Sequence, residues 1–241
     1  MGIRTSALKD RALWRQTSWR EILCREIVWR QTFRFAGTTL LLLGCAAVAA
    51  AQSEGERKSA LADLPKLIEA LEVKEGQTVA DIGAGSGWLT VGMAKHVGPN
   101  GRVYGTELGE KNVAELKAEV EKEKLPQIAV IDGAFTETNL PEACCDAIFT
   151  RLVYHHFAEP LPMNRSILKA LKPGGRFAVL EFVPGRGRQE AKDPKDRASR
   201  DSHGVGPESV ERELKEAGFE IVSVSPVVGV SFTVVARKPA P

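Results

Sequence analysis

Residues 79–90 read Val-Ala-Asp-Ile-Gly-Ala-Gly-Ser-Gly-Trp-Leu-Thr, and no other stretch constrains the fold as much. A short apolar run ends in Asp81, then Gly83, Gly85 and Gly87 follow at alternate positions, and a helical pattern begins at Trp88. Alternating glycines let the backbone enter φ > 0 and let a ligand lie against bare main chain. The helix behind them offers unpaired N–H groups and the positive end of its dipole. Glu107 closes a second apolar run, Arg102-Val-Tyr-Gly-Thr-Glu107. Strand, glycine turn, helix, strand and acid form the order of a nucleotide-type site, in which the acid accepts hydrogen bonds from ribose hydroxyls.

The glycine spacing separates the cofactor classes. A dinucleotide fingerprint is G-x-G-x-x-G, with pyrophosphate on the helix N-terminus. Here the spacing is G-x-G-x-G followed by bulky Trp88, and the turn starts from an acid, Asp81. A carboxylate suits a cationic or amine-bearing ligand better than a pyrophosphate, which argues against a nicotinamide dehydrogenase. The run Asp81-Ile-Gly-Ala-Gly-Ser-Gly87 resembles motif I of class I methyltransferases, which bind S-adenosylmethionine.

The resemblance extends over residues 60–241. A charged helix is predicted over Lys111–Lys124, ended by Pro126, and a strand over Gln127–Ile131 leads into Asp132-Gly133-Ala134. Leu140–Thr150 resembles the fourth strand and runs into Arg151-Leu-Val-Tyr154-His155-His156. A helix over Leu161–Leu171 precedes Lys-Pro-Gly-Gly and a fifth strand ending at Glu181. Proline there cannot continue the helix, and glycine supplies a left-handed cap. Residues 203–219 resemble the last helix of ubiquinone-biosynthesis-type methyltransferases, with Pro207 in its first turn and Gly218 past its end. Strands over Glu220–Ser225 and Gly229–Ala236 close the chain, joined through Pro226.

Alternating strands and helices imply a Rossmann-like doubly wound α/β fold. Seven mostly parallel strands are expected, with helices on both faces and an antiparallel C-terminal hairpin at one edge. Ligands of such sheets sit at the carboxyl ends of the strands, where Asp81, Glu107, Asp132 and Arg151 all fall. The resemblance implies that Asp81 with Gly83, Ala84, Gly85 and Gly87 holds the methionine part of S-adenosylmethionine. By the same resemblance Glu107 binds ribose, and Asp132, Gly133 and Ala134 meet the adenine. Arg151 is a candidate partner of the cofactor carboxylate. Tyr154, His155 and His156 are expected at the mouth of the methyl-transfer site, where an imidazole accepts a proton as the methyl group arrives. The alternative is that one histidine caps a helix while the other, with Tyr154, packs.

The rest of the chain has another character. Residues 1–51 carry eight basic and three acidic groups, whereas the whole chain is +2, so residues 52–241 are left at −3. The body therefore has no basic excess for nucleic acid. Residues 37–51 are uncharged and mostly apolar and end in Ala49-Ala50-Ala51. A basic region, an apolar core too short for a comfortable membrane span and an A-x-A-like end read as a secretory signal. Export or a periplasmic place is expected, with cleavage after Ala51. Cys45 after Leu-Leu-Gly resembles a lipoprotein acylation box, and a start site downstream of the leader would leave the protein in the cytoplasm. Trp14, Trp19, Ile22, Ile27, Val28 and Phe33 interleave with arginines, so membrane contact is expected through the leader alone. Residues 52–59 read as a polar linker, and a first helix over Ala60–Leu71 is expected to cover the cofactor crevice. Residues 184–204 lack apolar periodicity and read as a long solvated loop, of a kind that elsewhere serves as a lid. Four cysteines, two in the leader and two adjacent, offer neither a disulfide framework nor metal-ligand spacing.

The function expected is methyl transfer to a small-molecule acceptor. An exported scaffold that keeps the fold without catalysis is the competing reading, since S-adenosylmethionine is a cytoplasmic metabolite. Against it stand Asp81, the glycines and Glu107, which a scaffold does not need. Gly83–Thr90 and Gly98–Val103 also resemble isoaspartyl protein-repair methyltransferases. The serine-containing acceptor motif of that family is missing upstream of the first strand.

Overall fold

The structure is a computed structural model that describes residues 37–199 and 204–240, with side chains from Ser53 onward. The basic leader over 1–36 and His203 lie outside the described residues, as do the side chains of the apolar stretch 37–51. Contacts divide the chain into Met1–Ser53 and Glu54–Pro241, and the sheet lies in the second unit.

Helix α1 spans Gly37–Leu71 and leads into strand β1, Thr78–Ile82. Helix α2 (Trp88–Val97), strand β2 (Arg102–Glu107), helix α3 (Glu110–Glu123) and strand β3 (Ile128–Asp132) follow. Then come β4 (Cys145–Arg151), a 3₁₀ turn (Tyr154–His156), α4 (Pro160–Ala170) and β5 (Leu171–Phe182). The chain closes with α5 (Pro194–Ser199), α6 (Pro207–Ala217), β6 (Glu220–Val224) and β7 (Ser231–Arg237). The seven strands form one sheet in the order β3-β2-β1-β4-β5-β7-β6. The first five pair in parallel, and β7 is antiparallel to both of its neighbours. This is the Rossmann-like sheet with a C-terminal hairpin that the strand pattern predicts.

Two apolar layers fix the sheet between helices. Ile148, Phe177, Val179, Phe232 and Val234 pack on one face with Ile167, Val210 and Leu214 of α4 and α6. Val79, Phe149, Ala178 and Val235 pack on the other with Leu67 and Leu71 of α1 and Met93 of α2. Phe149 and Phe177 are fully buried on opposite faces. Each such side chain contributes about 1.5–3 kcal/mol by leaving water. The central strand β4 is buried along most of its length, as a strand covered on both faces must be. Edge strand β6 is mostly exposed.

Several element boundaries differ from expectation for physical reasons. Residues 52–59, expected as a linker, are helical within α1, because Gln, Glu, Lys and Arg are good helix formers however polar they are. Helix α4 ends at Leu171 in an extended conformation, and the left-handed glycine is Gly174, inside the irregular start of β5. The segment 184–204 is not a solvated loop throughout. It contains α5, whose Arg197 is 1% exposed and donates to both carboxylate oxygens of Glu213 at 3.0 and 3.1 Å, and to Glu190 Oε1 at 3.2 Å. Glu190 Oε2 in turn accepts from the Gly206 amide at 2.8 Å. Cys144 and Cys145 are both free thiols. Among the described residues no helix is long and apolar enough to cross a membrane, and no cluster of side chains suits a metal ion.

Candidate functional site

The glycine turn joins β1 to α2 at the carboxyl edge of the sheet. Gly83 and Gly87 have φ of 74° and 75°, which side chains rarely adopt. A Cβ on Gly83 would stand 2.7 Å from both methyls of Val153, and one on Gly87 2.7 Å from Leu116 Cδ1. The turn is therefore glycine-bound by its neighbours as well as by its torsions. The amides of Gly83 and Ala84 both donate to the carbonyl of Thr106, at 3.0 and 2.9 Å, which fastens the turn to β2. Gly85, also at positive φ (54°), has open space where its Cβ would be.

Asp81 ends β1 beneath this turn and is 2% exposed. Burial pushes its carboxyl up to about 7, with Glu107 adding to the rise; a 2.7 Å hydrogen bond from Thr90 Oγ1 and the charge of Arg151 work against it. Glu107 ends β2 in register with Asp132 at the end of β3. Its Oε2 accepts from the Gly85 amide at 2.7 Å and its Oε1 from the Leu108 amide at 2.9 Å. Each carboxylate oxygen keeps a second acceptor position for a hydroxyl. The Asp132 side chain is exposed beside Gly133 and Ala134. The Gly133 amide donates to the Glu107 carbonyl at 2.9 Å, and the Ala134 amide to the Glu137 carbonyl at 2.8 Å. These amides shape the strand ends and are already engaged. Ser59 and Asp63 of α1 reach the same edge through Arg151, so this end of the helix borders the crevice.

Tyr154, Arg151 and His155 all have protein partners. Tyr154 is fully buried, and Asn164 Nδ2 donates to its hydroxyl at 2.8 Å. Burial and the nearby Glu213 carboxylate push that hydroxyl well above its usual pKa. Arg151 is tied to α1, where its Nε donates to Asp63 Oδ2 at 2.8 Å and its Nη2 to Ser59 Oγ at 2.9 Å. It acts as a fastener between β4 and α1, although its charge is felt at Asp81. His155 is 3% exposed and holds Nδ1 at 2.9 Å from both oxygens of Glu181, itself completely buried at the end of β5. Of Tyr154, His155 and His156 only His156 reaches the surface, with its ring centroid 4.1 Å from that of His155.

Thr90, Asp63 and Glu181 all matter here and were not singled out in the sequence. Glu181 had a signal, since an acid closing an apolar strand is rarely accidental. Thr90 and Asp63 had none, because a helix face pointing at a strand end looks like any other polar position. A cavity of about 280 Å³ lies away from the glycine turn, between Leu67 and Ala70 of α1, Leu180 of β5, Val224 of β6 and Val235 of β7.

Comparison with known proteins bears on this geometry. Residues 80–179 match the family model described as a methyltransferase domain. A ubiquinone/menaquinone biosynthesis C-methyltransferase of Salmonella arizonae is 35% identical over 121 residues, 48% of this chain and 46% of that protein. The chain thus spans less than half the length of this curated relative. A solved S-adenosylmethionine-dependent methyltransferase of Aquifex aeolicus is 26% identical, with a TM-score of 0.62 over 73% of this chain and 89% of its own. A phosphoethanolamine N-methyltransferase of Haemonchus contortus, solved with S-adenosyl-L-methionine, shares the fold at 18% identity, with a TM-score of 0.61 over 73% of this chain and 52% of its own.

Proposed function

We propose that this chain, which carries a methyltransferase domain over residues 80–179, is a class I enzyme that transfers a methyl group from S-adenosylmethionine to a small molecule. The observation that carries the reading is the pairing of a buried acid, Asp81, with a glycine turn held by Glu107, both at the carboxyl edge of a sheet of this order.

The residues present fit the cofactor. Asp81 is a desolvated carboxyl for which a cationic partner is favourable, and the cofactor has an ammonium and a sulfonium. Glu107 keeps acceptor capacity for ribose hydroxyls, and exposed Asp132 presents an acceptor to an adenine amino group. The space above Gly85 lets a ligand approach the main chain. Gly83, Ala84, Gly87, Gly133 and Ala134 contribute shape rather than open donors, since the described amides among them are engaged. Bound there, the cofactor supplies an electrophilic methyl carbon. The protein's part is to position an acceptor in line and to keep water out. His156 is the titratable group of the expected trio that reaches the surface, and His155 with Glu181 supports it from beneath. The leader supports a further proposal, export of the mature domain, which measuring the N-terminus of the secreted protein tests. Gly85→Val fills the open space of the turn and is expected to abolish cofactor binding while the circular dichroism of the fold is retained. Unchanged affinity in that variant would remove the site.

A further inference from the structure

Helix α1 has a proline in its interior, Pro65. An interior proline has no amide to give the carbonyl four residues back, here Leu61, and its ring crowds that carbonyl, so the helix ladder is interrupted. The two sides of the break are held differently. Past it, Leu67 and Leu71 are buried in the core. Before it, residues 54–59 are all exposed, and so are Leu61 and Ala62. The apolar attachment there is Ala60, which is buried, and Leu64, whose Cδ2 would stand 2.6 Å from a Cβ on Gly92 of α2. A helical segment with so few buried apolar contacts opens at low cost. A polar tie adds to them: Arg151 at the end of β4 donates from Nε to Asp63 Oδ2 at 2.8 Å and from Nη2 to Ser59 Oγ at 2.9 Å.

The guanidinium of Arg151 is placed to hold more than the helix. Nε and Nη2 share one edge of its planar fork. The other edge, between Nη1 and Nη2, has no acceptor among the described residues, and it presents the parallel N–H pair that a carboxylate takes. Lys66 Nζ lies 2.9 Å from Asp63 Oδ1 and shares that carboxylate, so Asp63 does not cancel the whole charge of Arg151. We propose that residues 54–64 are a cap hinged at Pro65, and that Arg151 is the positioning residue that closes it, holding Asp63 and Ser59 by one edge and the carboxylate of the bound cofactor by the other. The hinge and the latch stand on this geometry, whereas the identity of the second carboxylate rests on the methyl-transfer reading. A guanidinium fixed on both edges loses its freedom once, so docking of the cap and binding of the cofactor favour each other.

The test is hydrogen exchange of the full chain in three states: alone, saturated with S-adenosylmethionine, and saturated with its decarboxylated analogue, which keeps the adenosine, sulfonium and ammonium groups. S-adenosylmethionine is expected to slow exchange over 54–64 by roughly fivefold or more. The analogue is expected to protect the turn 83–87 and to leave 54–64 at the rate of the free protein. Arg151→Lys keeps the charge and loses the fork, so it binds S-adenosylmethionine more weakly and loses the response of 54–64. Without ligand, Asp63→Asn speeds exchange over 54–64, and Pro65→Ala slows it. Equal protection of 54–64 by both ligands would overturn the proposal. So would a turn that responds while 54–64 does not, or a full response in Arg151→Lys. If the chain binds neither ligand, the methyl-transfer reading fails and the carboxylate half of the proposal fails with it. The ligand-free rates then decide the hinged cap alone, and equal rates in the unaltered chain, Asp63→Asn and Pro65→Ala would sink that too.

Discussion

Asp81 stands at about 7 because it is buried, and the energy that burial costs its charged form is relieved by a cation. Two pH dependences follow. The folded carboxyl holds its proton to a higher pH than the unfolded one, so the protein without ligand loses stability as pH rises from about 4 through about 7. Thermal melts across that range show the loss, and Asp81→Asn flattens it. Binding of a cationic cofactor selects the carboxylate, so it releases a proton and gains affinity up to about pH 7, at close to tenfold per pH unit below it. Calorimetry in buffers of different ionisation enthalpy measures the proton directly, and the same affinity at pH 5.5 and 7.5 would contradict the role of Asp81. The other carboxylate is simpler: Glu107→Ala is expected to weaken cofactor binding by about 1–3 kcal/mol, through lost charge-assisted hydrogen bonds. At His155 the stake is stability. His155→Leu leaves Glu181 buried with two amide contacts and no imidazole, at a cost of about 3–5 kcal/mol in denaturant unfolding. His156→Ala, at an exposed position, is expected to leave stability nearly unchanged and to lower turnover.

At the scale of elements, two clamps hold the crevice and its surroundings. Arg151 and Asp63 tie β4 to α1, both partly shielded from water. The second clamp, Arg197 between Glu213 and Glu190, pins α5 onto α6. Arg197→Met is expected to release the segment 183–206, read as faster proteolysis there, and to cost about 3–5 kcal/mol through the carboxylates left behind. If protease cuts that segment equally in both proteins, the clamp has no such function. The clamps also show where the sequence stops being legible. Strands β1, β2, β4 and β7 and helices α2 and α6 were readable because apolar spacing, proline and glycine are local signals. The setting of Tyr154 leaves no mark in the sequence, because a phenol after a strand looks the same whether it meets substrate or Asn164. The burial of Arg197 is not legible in the sequence, because its partner lies sixteen residues away on another helix and pairing at that distance leaves no mark in composition.

For the whole molecule, a seven-stranded, mostly parallel sheet with a C-terminal hairpin was legible because alternation of strand and helix and a final pair of strands without a helix allow few arrangements. The glycine turn then fixes which edge of the sheet holds the ligand, and Asp81, Glu107 and Asp132 arrive there from three successive strands. Fold alone does not decide chemistry, so the reading of methyl transfer rests on what the crevice binds. Calorimetric titration of the protein with S-adenosylmethionine, and in parallel with NAD, tests this most directly. Micromolar binding of S-adenosylmethionine alone, with release of a proton near neutral pH and loss of binding in Gly85→Val, is the predicted result. Binding of NAD in its place, or of neither, would contradict it.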